Sequence, residues 1–171
     1  MIPITSPPMI VKSYAEKFTS FFSKPQFAHF LTYLNGLIVS TNKTVQGINN
    51  NFLDRKDQST LNHFITDADW DEETVNNRRI ELINEHMKNV REKDTSLIVD
   101  DTLSHKTGAQ IDQVELFYDH SLYRHVLAHQ LVTSVLVARD KHFPIGLRLY
   151  KKYKENDHTF KTKIQLAAEL I

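Results

Sequence analysis

The segment Ser96-Leu97-Ile98-Val99-Asp100-Asp101-Thr102 constrains this chain more than any other. A short apolar run between polar flanks is the pattern of a buried strand, and this one stops abruptly at two carboxylates. Acids at the carboxyl end of such a strand sit where an α/β fold opens to solvent and where sites are built. Carboxylate oxygens there suit hard divalent cations such as Mg2+ and Mn2+. The same residue types also make plain turns, so the pair by itself leaves a structural role open.

Size and composition narrow the classes. The 171 residues suffice for one sizeable core, or for a small helical domain joined to a compact α/β unit. With 40% hydrophobic and 25% charged residues the chain reads as folded rather than disordered. Lys plus Arg total 21 and Asp plus Glu total 21, so DNA binding would require basic residues to cluster in space. Cysteine is absent, which excludes disulfides and thiolate chemistry. The start, Met1-Ile2-Pro3-Ile4-Thr5-Ser6-Pro7-Pro8, lacks the charged and apolar regions of a signal peptide, and no apolar run approaches membrane-spanning length. The expectation is a soluble, cytoplasmic protein with no membrane partner.

The first half has helical periodicity. Tyr14, Phe18, Phe21 and Phe22 fall on one face, and Phe27, Phe30, Leu31, Leu34 and Ile38 repeat the pattern after Pro25. Gly36 interrupts the second helix, either as a close-packing point or as a tolerated residue. Val45, Ile48 and Phe52, then Leu61, Phe64 and Ile65, form shorter stripes on either side of Asp54-Arg55-Lys56-Asp57. That pair is a helix-turn-helix for a DNA groove or, more plainly, a hairpin packed for stability. Trp70-Asp71-Glu72-Glu73 opens a longer helix with Val75, Leu82, Ile83, Met87 and Val90 facing inward. Arg91 and Lys93 at its end suit the helix dipole.

Beyond Asp94 the period changes. Residues 130–138 are β-branched and apolar, as in a central strand. Arg139-Asp140-Lys141-His142 makes a polar turn, after which Ile145, Leu147 and Leu149 alternate as in the second arm of a hairpin. The basic stretch Lys151-Lys152-Tyr153-Lys154 leads to a last helix with Phe160, Ile164, Ala168 and Ile171 on one face. The predicted order is strand, long loop, strand, turn, strand, helix.

The run Leu97-Ile98-Val99-Asp100-Asp101-Thr102, followed by Lys106 and Gly108, resembles the first catalytic segment of IS701-type DDE transposases, relatives of the IS4 group. Tyr33-Leu34-Asn35-Gly36-Leu37-Ile38 resembles that family's "YLxGLL" helix. Leu61-Asn62-His63-Phe64-Ile65, with Trp70-Asp71-Glu72 after it, resembles its "LxHFL…WD" stretch. His129-Gln130, Leu149-Tyr150 and Thr162-Lys163 also match in order and spacing, so the resemblance runs through most of the chain.

The resemblance implies an α+β fold. Residues 1–93 would form an amino-terminal helical domain with a candidate DNA-binding hairpin. Residues 94–171 would form the first half of an RNase H-like catalytic domain: strand, long loop, β-hairpin, helix. The implied activity is DNA transposition by metal-dependent strand cleavage and transfer at transposon ends, with Mg2+ or Mn2+, in a prokaryotic cytoplasm at the nucleoid. The acid immediately before the Thr, Asp101, becomes the first catalytic metal ligand, with Asp100 as a second candidate. Two cations that bracket a phosphodiester, one at the nucleophile and one at the leaving oxygen, require several convergent carboxylates.

Family members continue well beyond this length and carry a second Asp and a Glu there. With those ligands missing, the expectation is a truncated chain that binds metal weakly and does not cleave DNA alone. The loop from Lys106 to Arg124 has only Gly108 where relatives are glycine-rich. The alternative is a non-catalytic DNA-binding or regulatory fragment that associates with itself or with full-length transposase. Lys106, Lys151, Lys152 and Lys154 are candidate phosphate contacts, solvated lysines being the plain alternative. His105, His120, His125 and His129 lie close in sequence, but this stretch feeds a strand and contains no H-E-x-x-H. Neither a glycine-rich phosphate loop nor G-x-S-x-G occurs.

Overall fold

The computed structural model describes residues 3–54, 57–91, 94–108, 110–155 and 157–171. Contacts divide the chain into two units, Met1–Glu81 and Leu82–Ile171. Helices come first and a four-stranded antiparallel sheet follows, an α+β architecture consistent with a helical domain and a partial RNase H-like core.

In the first unit, α1 (Met9–Ala15) runs into a 3₁₀ segment (Glu16–Phe21). The tighter pitch rotates the expected aromatic face, so that Val11, Ala15, Phe18 and Phe22 are buried while Tyr14 is exposed. α2 (Lys24–Val39) starts at a capping box in which Gln26 Oε1 accepts from the Ser23 N–H at 2.8 Å, with Pro25 in the first turn. Its inward positions include Asn35 and Gly36, which leaves the expected core residue Ile38 exposed. Thr44 caps α3 (Val45–Asn49) through the Gly47 N–H at 3.0 Å, and Asp57 caps α4 (Gln58–Thr66) through the Ser59 N–H at 2.9 Å. Arg55 and Lys56 of the expected polar turn lie outside the described residues.

An aromatic cluster joins these helices. Phe22 stacks on Phe30 at 4.8 Å and Phe64 on Trp70 at 5.7 Å, with Phe22 touching both members of the second pair. The Trp70 indole N–H donates to the Phe64 carbonyl at 2.9 Å. Gly36 resolves to a close-packing point. A Cβ there would overlap Ile48 Cγ2 and lie 3.1 Å from both Ile48 Cβ and Cγ1.

α5 (Glu72–Met87) begins where Asp71 Oδ1 accepts from the Glu73 N–H at 2.9 Å, and it spans the division between the units. Leu82 and Ile83 are its buried residues. Val90 and Arg91 lie past its last turn rather than within it, and Arg91 pairs with Asp94 at 2.9 Å. Lys93 lies outside the described residues.

In the second unit β3 (Arg124–Ala138) is the central strand. One edge pairs with β1 (Thr95–His105), from Thr95↔Ala138 to His105↔Ala128. The other edge takes β2 (Glu115–Asp119) against residues 124–128 and β4 (Lys141–Tyr150) against residues 130–138. Arg139, at φ 57°, turns the β3–β4 hairpin, and a register shift at Ser134/Val135 accommodates Pro144, which has no N–H for the ladder.

The sheet unit departs from the sequence expectation at four points. β1 is an edge strand whose apolar residues are not buried: Leu97 is 40% and Ile98 53% exposed. It also continues past the acids, because Leu103, Ser104 and His105 keep pairing with β3, so Asp100 and Asp101 sit mid-strand. The loop after Lys106 contains β2, whose five residues with acids at both ends carry too little apolar signal to read as a strand. Finally, α6 (Lys163–Ala168) buries Leu166 and not the expected face, since Ile164 is 82% and Ile171 87% exposed. The Thr162–Gln165 capping box sets its phase, and Leu166 and Leu170 pack on Val132, flanked by Val99, Tyr150 and Ala167. Gly146 opens that seat, since a Cβ on it would come 2.5 Å from Leu170 Cδ2. Among the described residues no helix is long and apolar enough to cross a membrane.

Candidate active site

The strand pleat sorts the β1 side chains. Val99, Asp101, Leu103 and His105 pair with Ser134, Val132, Gln130 and Ala128, and α6 packs against the Val99–Val132 part of that face. Asp101 Oδ2 accepts two hydrogen bonds, from Gln130 Nε2 at 2.6 Å and from Lys163 Nζ at 2.5 Å. Gln130 comes from the neighbouring strand and Lys163 from the first position of α6. Together with Leu103, Tyr118 and His120 these residues line a cleft of about 470 Å³. The Lys163 ammonium holds the Asp101 carboxyl below the usual carboxylate range, against the opposing pull of partial burial and with smaller help from Gln130.

Asp100 behaves differently. Its Oδ1 accepts from the Asp101 N–H at 2.8 Å, so its carboxylate folds back along the strand. It borders a second, shallower depression of about 220 Å³ with Val99, Asp101, Lys163 and Ile164. The two acids therefore share a rim but not a partner.

A further polar group lies on the same strand face. His105 Nε2 is 2.7 Å from Asp119 Oδ2, and Asp119 Oδ1 accepts from the Ser121 hydroxyl at 2.6 Å and from the Ser121 and Leu122 N–H groups at 2.7 and 3.2 Å. These donors, the Ser121 hydroxyl foremost, bring the Asp119 carboxyl down to about 2. The other histidines of this stretch are engaged separately. His120 and His125 each meet the edge of Tyr118, and His129 Nε2 donates to the Asp112 carbonyl at 2.8 Å.

Of the candidate lysines, Lys106 Nζ donates to Ser104 Oγ at 3.1 Å. Lys152 Nζ donates to the Leu116 carbonyl and lies 4.9 Å from the Phe117 ring centroid, while Lys154 faces Glu115 at 3.5 Å. Both tie the connector to β2. Lys151 is exposed.

A family model of the DDE superfamily endonucleases matches residues 17–171. The chain belongs to the DDE endonuclease superfamily. Over 116 residues, 67% of the chain, it is 31% identical to the "Probable transposase for insertion sequence element IS701" of Microchaete diplosiphon, which makes it an IS701-type member. The matched stretch is 30% of that relative, so the chain spans under a third of its length. No solved structure matches the chain.

DDE endonucleases work with divalent metal ions. The residues present do not make a complete cation site. Among the described residues no group of three or more His, Cys, Asp or Glu could hold an ion, and Asp101 Oδ2 already faces an ammonium. Within this DDE chain Gln130 and Lys163 stand out by sequence match, but their contact with Asp101 is a tertiary fact. One signal was available for Gln130: a polar amide inside an apolar strand, here 8% exposed, needs a buried partner. Tyr118 and His120 belong to or follow β2, which carried no strand signal.

Proposed function

We propose that this chain supplies the first-acid segment of a DDE transposase that cleaves and joins DNA at transposon ends with Mg2+ or Mn2+. Residues 1–93 would serve as the helical domain, with α3 and α4 as its candidate DNA-binding hairpin, and residues 94–171 as the first part of the catalytic domain. The observation that carries this reading is the superfamily match across residues 17–171, with Asp101 on the wall of an open cleft. Asp101 would be the first metal ligand, Asp100 a neighbour at the strand edge, and Lys106 and Lys151 phosphate contacts. On this reading Asp101 is one of several carboxylates that such a cation site needs, and the chain alone is expected not to nick DNA.

One observation favours a second reading, a non-catalytic DNA-binding or transposase-associating fragment. The single cleft carboxylate on β1 is neutralised by Lys163. A supercoiled-plasmid assay separates the two. A chimera in which the remaining portion of the Microchaete relative follows Ile171 should nick in Mg2+ and lose that activity in Asp101→Ala. Nicking that survives Asp101→Ala would sink the assignment. Salt-dependent DNA retention by the chain, with an inactive chimera, would favour the second reading. Nicking by the chain alone would overturn its incompleteness.

A further inference from the structure

We propose that the tip of the β2–β3 hairpin is a binding site for an unpaired nucleobase, with Tyr123 as the stacking ring and Arg124 beside it for the adjoining phosphate. This rests on the reading of DNA as the partner of this chain.

The hairpin turns over residues 120–123, between the facing pair Asp119 and Arg124. Tyr123 is 83% and Leu122 46% exposed, and Tyr123 makes no hydrogen bond or ring contact among the described residues. The Tyr123 backbone is also left-handed, at φ 52°. Gly or Asn takes that conformation at little cost, whereas a bulky side chain there is strained. The turn therefore gains nothing from a tyrosine, and the core gains nothing either, because the ring stands in solvent. What remains is a ring held out for contact. It is held firmly: Asp119 Oδ1 accepts from the Ser121 hydroxyl and from the Ser121 and Leu122 N–H groups, while Oδ2 faces His105 on β1. An aromatic side chain on a fixed backbone loses little freedom when it binds.

Charge and place select nucleic acid as the occupant. Both acids of the hairpin are engaged, Asp119 by those donors and Glu115 by Lys154 and the Lys152 N–H. Arg124 is exposed and pairs with no acid among the described residues, and exposed His120 and His125 flank the Tyr118 ring. Exposed rings interleaved with a cation and imidazoles fit bases joined by phosphates. The same hairpin walls the Asp101 cleft, which Phe117, Tyr118 and His120 line together with Asp101. A DNA strand whose phosphodiester lies at Asp101 passes this hairpin, and a base that leaves its stack there meets Tyr123. Every base has a π-face, so the contact accepts any sequence.

The test measures binding of the 171-residue chain to a fluorescein-labelled, mixed-sequence DNA single strand, and to its blunt duplex, by fluorescence anisotropy at low salt. Tyr123→Phe should bind the single strand as the unmodified chain does. Tyr123→Ala should bind it about tenfold more weakly and leave duplex binding unchanged. Tyr123→Asn should show the same loss while raising the melting temperature by about 2–4 °C, because Asn accepts the left-handed backbone. A variant that binds less yet unfolds later has not lost its fold. Arg124→Ala should weaken binding of both DNA forms and flatten its salt dependence. Emission of Tyr123→Trp should be quenched by the single strand beyond that of the unmodified chain, whose one tryptophan is Trp70. The proposal is overturned if Tyr123→Ala binds the single strand at full strength, or if it loses both DNA forms alike; in either case DNA stands as the partner. If Tyr123→Ala alters self-association and not DNA binding, the tip is a protein contact and the proposal falls. If the unmodified chain binds neither form, the proposal and the DNA reading fall together.

Discussion

Gly36→Ala tests how tightly α2 and α3 are packed, and its sign depends on a single neighbour. In an ordinary exposed helix this substitution stabilises by about 1 kcal/mol, because Gly loses more backbone entropy and Ala is the best helix former. Here the new methyl would overlap Ile48 Cγ2 and lie 3.1 Å from two further Ile48 carbons, whereas carbon atoms in contact rest at about 3.5–4.0 Å. Ile48 is 0% exposed and β-branched, so it has neither space nor a spare rotamer into which to retreat. Overpacking of this kind costs about 1–3 kcal/mol, and an overlap with a stiff branch belongs at the upper end. Gly36→Ala should therefore destabilise by about 1–2 kcal/mol after the propensity gain is subtracted. Ile48→Ala alone should cost about 2–5 kcal/mol. In that background the obstruction is gone, and Gly36→Ala should turn stabilising by about 1 kcal/mol. The double-mutant cycle then shows a coupling of at least about 2 kcal/mol. Urea unfolding followed by tryptophan fluorescence is the assay, since the chain's one tryptophan, Trp70, stacks on Phe64 in the same helical unit. If Gly36→Ala has the same sign and size in both backgrounds, the close-approach explanation of this glycine is wrong.

Three further predictions concern the sheet unit. Asp119 has a folded-state carboxyl at about 2 against an ordinary value of 3.8, so its contribution to stability is complete above about pH 4 and is lost as the pH falls through about 2. The melting-temperature gap between the unmodified chain and Asp119→Asn should close as the pH falls from 4 to 2; a gap that does not change over that range refutes the assignment. Thr162→Ala removes the α6 cap and should cost about 1 kcal/mol in urea unfolding, while a loss within a few tenths would mean the cap is dispensable. Lys152→Ala deletes a donor to the Leu116 carbonyl and a cation above Phe117, and should cost about 1 kcal/mol, whereas Lys151→Ala should change stability by less than about 0.5 kcal/mol. Equal effects would show that Lys152 has no structural role beyond its charge.

The sequence carried what depends on local order. Capping residues preceded the helices they start, the 3.6-residue stripes marked the amino-terminal half as helical, and the β-branched run at residues 130–138 announced the central strand. It carried the superfamily as well, because Leu97-Ile98-Val99-Asp100-Asp101-Thr102 and the motifs around it keep their order along the chain. Its errors have one physical source. Periodicity tells which residues form a stripe, but not whether anything covers the stripe. Leu97 and Ile98 are as apolar as a buried strand requires, yet they lie exposed on an edge strand. Ile164 and Ile171 suit a buried helix face, yet the cap phase and the Gly146 seat turn Leu166 and Leu170 inward.

The site divides the same way. Asp101 was singled out as a candidate by its neighbours in sequence. Its environment was not legible, because Gln130 lies 29 residues and Lys163 62 residues farther along the chain. The sequence determined that this chain has helices and a sheet, that its motifs are those of the DDE superfamily, and that Asp101 is the candidate acid within them. Only the tertiary structure decided that this acid lies mid-strand on a cleft wall, held by an amide and an ammonium. The reason is that such a pairing arises when β3 and α6 pack beside β1, and no local pattern encodes the meeting of segments so far apart.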